Sequence, residues 1–126
     1  MRRSARHYPG AVAVVAACLL SVGRRPLRRV EVTGDSMLPS LRPGDRLLVL
    51  RHGHYRAGDI VAVADPRAQP RTMVKRVAAR GPQGVTVLGD NAAASTDSRT
   101  LGPLVQAAIR GRAVYRYFPD SRRGLL

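Results

Sequence analysis

The sequence predicts a mainly β domain, a small, strongly bent sheet or partly open barrel, and three observations carry that expectation. Short runs of alternating apolar and polar residues recur from position 29 to position 118. Nine Pro and twelve Gly punctuate those runs as turns. Trp is absent and aromatic residues make up 4%, so the core has to be built from Val, Leu, Ile and Ala. At 126 residues the chain has room for one core and not for two. It divides into a basic and apolar N-terminal segment, 1–28, and a folded domain, 29–126.

The N-terminal segment opens with Arg2, Arg3 and Arg6, continues as an apolar run over 10–23, and closes on Arg24, Arg25, Arg28 and Arg29. A bilayer-spanning helix needs about 20 apolar residues, and this run is shorter. Positive charge on both flanks disfavours export of the downstream domain. The expectation is a short N-terminal apolar helix resting on an anionic membrane surface, with the protein cytoplasmic and peripheral to the membrane through residues 10–23. From residue 29 onward the pattern turns to strands, expected over 29–33, 46–51, 59–64, 72–79, 85–88 and 112–118. Pro43-Gly44-Asp45, Ala57-Gly58-Asp59, Asp65-Pro66 and Gly81-Pro82 fall between them as turn signals.

At the end of the first strand the chain reads Gly34-Asp35-Ser36-Met37-Leu38-Pro39. Gly34 and Asp35 break the alternation, and Pro39 stops a long helix from forming, which leaves Ser36 on a corner. A serine so placed can expose its hydroxyl and set its own N–H beside an attacked carbonyl, the geometry an acyl-transfer nucleophile needs. The same composition also suits an ordinary turn or a helix cap.

The basic residues tip that balance. Of 22 Lys and Arg, a single one, Lys75, is lysine. Arginine keeps its proton in proteins, whereas lysine can lose it. In 72–79, alternation puts Met73, Lys75 and Val77 on one strand face, where desolvation would pull the amine below its ordinary value of about 10.4. Ser36 and Lys75 would then form a nucleophile–base dyad. A third cluster, residues 88–99, gathers Gly89-Asp90-Asn91, Ser95, Asp97 and Arg99. Its hydroxyls and carboxylates could orient a neutral amine, with Asp97 and Arg99 pinning the loop as an ion pair, although the composition equally fits a polar surface loop.

Other function classes find less purchase. The formal net charge of +14 suits an anionic surface or an acidic protein substrate. The arginines are scattered and not interleaved with aromatics, so no specific nucleic-acid partner is expected. One cysteine, Cys18, excludes an intramolecular disulfide. His52-Gly53-His54 reads as a surface turn, and neither a metal nor a cofactor is expected.

In their order along the chain, the three clusters resemble the serine peptidase family of type I signal peptidases over residues 29–118. Gly34 to Leu41 looks like the family's Ser-Met-x-Pro block, Val74-Lys75-Arg76-Val77 like its Lys-Arg-Val block, and Gly89-Asp90-Asn91 through Ser95, Asp97, Ser98 and Arg99 like its third. The resemblance implies Ser36 as nucleophile and Lys75 as general base. It also implies Ser95 as the lysine's hydrogen-bond partner, with Asp97 and Arg99 as braces. Gly34, Asp35 and Met37 would support the oxyanion site, and Gly89, Asp90 and Asn91 would form the loop. Gly34 stands where some signal peptidases carry an oxyanion-hole hydroxyl, so backbone N–H groups would serve instead.

The β-domain that larger relatives insert between Lys75 and Gly89 is missing. Ala92-Ala93-Ala94 and the ending 111–119 are more similar to the nickel-type superoxide dismutase maturation peptidases. That likeness implies a protein substrate whose leader is removed to free an N-terminal amine for nickel. The alternative is a minimal signal peptidase cutting secretory preproteins at the membrane. A self-cleaving repressor of the same chemistry would need a DNA-binding domain for which residues 1–28 have no room.

Overall fold

The computed structural model describes residues 27–51, 54–68 and 70–126. The apolar run at 10–23, and with it the expected N-terminal helix, lies outside them, as do His52 and Gly53. Seven strands build one antiparallel sheet: β1 (Leu27–Glu31), β2 (Arg46–Leu50), β3 (Ile60–Ala64), β4 (Thr72–Gly81), β5 (Gly84–Leu88), β6 (Ile109–Phe118) and β7 (Gly124–Leu125). Their order across the sheet is β1-β2-β6-β3-β4-β5, and β7 adds to β6. The mainly β expectation holds, and among the described residues β1 and β5 remain unjoined edges, so the barrel is open.

Bulges bend the sheet. Register shifts interrupt β2 against β6 at Arg46/Leu47 and Leu48/Val49, β3 against β6 at Ala62/Val63, and β4 against β5 between Val77 and Ala79. Each extra residue kinks its strand and raises the local twist. The ten-residue β6 can therefore pair with β2 along its later part and with β3 along its start.

Two apolar clusters fill the two faces. Val30, Val32, Met37, Leu41, Leu47, Val49, Ile60, Ala62, Val74 and Ala113 form one, and Val61, Val63, Met73, Val77, Val85, Val87 and Leu104 belong to the other. β3, the sequence Ile-Val-Ala-Val-Ala, feeds alternate residues to both, which is why it reads as an unbroken apolar run. β4 does the same, sending Val74 to one side and Met73 and Val77 to the other.

Element bounds differ from expectation where tertiary bonds decide them. The first strand leaves its ladder at Glu31, because Val32 N–H donates to Asp45 O and the Val32 carbonyl accepts from Gly44 N–H, both at 2.8 Å. β6 begins at Ile109, three residues before the expected start, held there by Val63. The polar stretch 88–99 is not all loop: a 3-10 turn spans Ala92–Ala94, and a one-turn helix, α1 (Ser98–Leu101), begins where the Asp97 side chain accepts from Arg99 N–H.

The C-terminal tail is tied down by charge. Asp45, 1% exposed, receives both Nη atoms of Arg122 at 2.8 and 3.0 Å, Arg116 Nη1 at 3.3 Å and the backbone N–H of Arg42 at 2.9 Å. Removing that carboxylate leaves two part-buried guanidiniums without their anion. Asp45→Ala should therefore lower stability by about 3 kcal/mol in urea unfolding; a loss below about 0.5 kcal/mol would show that the tail is held by other means.

Candidate active site

The corner expected at Ser36 is built by its neighbours. Gly34 sits at φ +74°, a left-handed conformation that glycine adopts without strain, so the residue at 34 answers a backbone demand. Met37, which comes just after the serine, is 1% exposed and packed in the core cluster with Val30 and Leu41. Burial of that side chain is worth about 2 kcal/mol and fixes the turn from below. Met37 is thus an anchor under the site and does not line the cleft itself. Leu38 N–H donates to Asp35 O at 3.2 Å and Leu41 N–H to Met37 O at 3.0 Å, closing the turn. Ser36 is left half-buried between an exposed and a buried neighbour.

Opposite lies β4. Lys75 pairs in register with Val61 on β3 and shares its face with Met73 and Val77, so its neighbours on that face of the sheet are apolar. The residue is 4% exposed. Burial is the largest cause pulling its pKa below the ordinary lysine value, and the nearby charges of Arg67, Arg71 and Arg99 push the same way; Asp97 pulls in the other direction. Ser36 and Lys75 line one cleft of about 130 Å³, together with Gly34, Asp35, Ala94 and Thr96.

The 88–99 segment connects these two walls. Lys75 Nζ donates to Ser95 Oγ at 3.0 Å, and Ser95 Oγ donates to Asp97 Oδ2 at 2.6 Å. Asp97 is fully buried and also accepts from Gly89 N–H at 2.8 Å and Arg99 N–H at 3.0 Å. Burial pushes the Asp97 carboxyl upward, but the bonds from Gly89, Ser95 and Arg99 outweigh it and hold the group below its usual value. Arg99 Nη2 lies 3.4 Å from Asp97 Oδ2 and donates to Gly89 O at 2.9 Å. Gly89 is the tightest point: a Cβ there would overlap Ser95 Oγ and stand 2.6 Å from the carbonyl oxygen of Ser36. The backbone of the serine corner and the hydroxyl that holds the lysine therefore meet across a residue without a side chain.

Asn91 completes the clasp, its N–H donating to Ser36 O at 2.8 Å and its Nδ2 to Asp35 O at 3.1 Å. Asp90 does more than shape the loop. It accepts both Nε and Nη2 of Arg76, at 2.9 and 2.8 Å, and Ser40 Oγ at 2.6 Å, so it ties the strand of Lys75 to the turn of Ser36. The sequence motifs contain Arg76 and Ser40 without giving either a role, and Arg67 and Arg71 on the cleft wall lie outside them. A basic residue after the lone lysine was the signal for Arg76; arginines in so arginine-rich a chain gave none for the others.

The sequence profile of the family described as signal peptidase, peptidase S26, matches residues 5–87 and 82–118. A mitochondrial ATP-independent inner membrane protease subunit 1a of Arabidopsis thaliana is 35% identical over 91% of this chain and 86% of its own length. A probable signal peptidase I-1 of Synechocystis is 31% identical over 91% of this chain and 82% of its own length, and the human mitochondrial inner membrane protease subunit 1 is 30% identical over 77% and 73%. With the fold, the buried lysine and these relatives in agreement, the chain belongs to the signal peptidase family, peptidase S26, and is a serine endopeptidase of that family.

Proposed function

We propose that this peptidase removes an N-terminal leader from a precursor protein with a Ser36–Lys75 dyad. One observation carries the reading: the chain's single lysine is buried in the cleft that Ser36 lines, with its pKa pulled down. Neutral Lys75 Nζ takes the proton from Ser36 Oγ as that oxygen bonds to the scissile carbonyl carbon. Backbone N–H groups, that of Ser36 among them, receive the oxyanion. When the C–N bond breaks, Lys75 returns the proton to the leaving amine. It then takes a proton from the water that hydrolyses the acyl-enzyme. Ser95 gives its own hydrogen to Asp97, which leaves its oxygen free to accept from Lys75 and turns the amine's lone pair away from the loop.

For the substrate, we favour a nickel superoxide dismutase precursor, whose leader must leave before its terminal amine can bind nickel. The Ala92-Ala93-Ala94 filling, the 111–119 ending and the tight β4–β5 hairpin at Gly81↔Gly84 support that choice. In this reading the enzyme is cytoplasmic and peripheral to the membrane through residues 10–23. Among the described residues no helix is long and apolar enough to cross a membrane. The second reading, secretory or inner-membrane precursors as substrates, draws on the likeness to signal peptidase I and the inner membrane proteases. Incubation with each precursor separates them: the first predicts a shortened dismutase with a new N-terminus, the second an intact dismutase and a trimmed preprotein.

Substitutions at position 75 test the chemistry. Lys75→Arg keeps the charge and loses the usable lone pair, so peptide cleavage should fall to background, about 10⁴-fold or more; retained turnover would remove Lys75 as the base. Lys75→Met should be equally inactive yet more stable near neutral pH. The folded-state pKa of Lys75 is lowered, so its cost to stability is fully present below that pKa and fades as pH rises to the ordinary lysine range. The stability gap between the two chains should close accordingly in alkaline urea melts, and a gap independent of pH would contradict the burial argument.

The acid limb of kcat/KM tracks the same amine, because the base works only when deprotonated. Ser95→Ala should lower kcat by about 100-fold with little change in KM, through misorientation of the amine. A change confined to KM would assign Ser95 to substrate binding.

A further inference from the structure

The cleft is electrically lopsided in a way that the dyad does not use. Asp65, fully buried, lies at the end of β3 and accepts from Arg67 N–H at 2.9 Å, Arg67 Nε at 3.1 Å and Arg67 Nη2 at 3.1 Å. Arg71 Nε lies 3.7 Å from the same carboxylate, and its side chain is 65% exposed. Both arginines line the cleft that holds Ser36 and Lys75. One carboxylate cannot neutralise two guanidiniums, and it spends its lone pairs chiefly on Arg67. The guanidinium of Arg71 thus stands exposed on the cleft wall, held only by a 3.7 Å ion pair and with charge to spare. The carboxylates on the cleft, Glu31 and Asp35, belong to the other wall, the 31–36 segment that leads into the serine corner.

β4 supplies the direction in which a substrate would run. Its residues Thr72 to Lys75 pair with β3 on one side, while β5 begins pairing at Arg76. An extended peptide entering the cleft would lie along this wall, and Arg71 stands four residues before Lys75. At about 3.3 Å per extended residue, that spans roughly 13 Å from the reacting amine. We infer that Arg67 and Arg71, set by Asp65, form a subsite for a carboxylate, so that this peptidase favours substrates carrying Asp or Glu about three to five residues from the scissile bond. The inference rests on the Ser36–Lys75 reading for the place of the cut, and it names a class of substrate side chain that the dyad leaves open. Asp65 and Arg67 are positioning residues here, and Arg71 is the gripping one.

The test compares peptides that differ only in Glu or Gln at positions three to five residues from the cut, on either side of it. The acidic peptide at one position should show kcat/KM about fivefold higher, within the range of an exposed ion pair. The preference should shrink between low and high salt. In Arg71→Gln the Glu:Gln ratio should fall to about one, and Arg71→Lys should restore part of it. Equal cleavage of all peptides by the active chain, or a preference unchanged in Arg71→Gln, would overturn the subsite while leaving the dyad intact. Should no peptide be cleaved, the dyad reading fails instead, and binding of the same peptides to the Ser36→Ala chain still decides the subsite: tighter binding of the Glu peptide, lost in Ser36→Ala/Arg71→Gln, supports it, and equal binding overturns it.

Discussion

The cost of keeping one amine out of water organises this protein. Lysine is among the residues least readily buried, because its charged form loses hydration that apolar neighbours do not replace. Here Val61, Met73 and Val77 flank Lys75 on its face of the sheet, and the nearby arginines add repulsion. Burial lowers the pKa of the amine and so favours its neutral form, the state in which a lysine can accept a proton. Stability and chemistry thus pull against each other at one atom. The hydrogen bond to Ser95 and the charge of Asp97 offset part of the cost without cancelling it.

Buried aspartates are the complementary device. Asp45, Asp65 and Asp97 are all 1% exposed or less, and each organises a different part of the molecule. Asp45 fastens the C-terminal tail to the turn beyond the serine corner through Arg116 and Arg122. Asp65 aligns two arginines along the cleft wall. Asp97, held mainly by backbone N–H groups and a hydroxyl, acts on the lysine through Ser95. In a chain of net charge +14, buried anions find partners readily, which helps to explain how so few acidic residues can each carry a structural task.

Much of this was legible from residue order alone, and the reasons differ by element. Strands β2, β3 and β5 announce themselves through short apolar runs bounded by Gly, Pro and Asp, and the structure places them within a residue or so of expectation. The lone lysine was visible because composition made it conspicuous. The helix α1 was hidden because its start depends on Asp97 turning back to Arg99 N–H, a choice enforced by Gly89 and Ser95 from elsewhere in the fold. Strand β7 is two residues long and exists only because β6 offers Tyr115 and Arg116 to pair with. Met37 read as part of the reactive segment, yet its side chain serves the core beneath it. That distinction needs depth, which periodicity over so short a turn does not supply.

The most direct test of the account is the titration of Lys75 itself. Because the chain holds a single lysine, labelling with ¹⁵N-lysine places one reporter Nζ in the whole protein. Tracking its chemical shift against pH in the folded Ser36→Ala chain should give a midpoint below the ordinary lysine value. A midpoint at or above that value would mean that the amine stays charged under working conditions, and Lys75 could not then serve as the base.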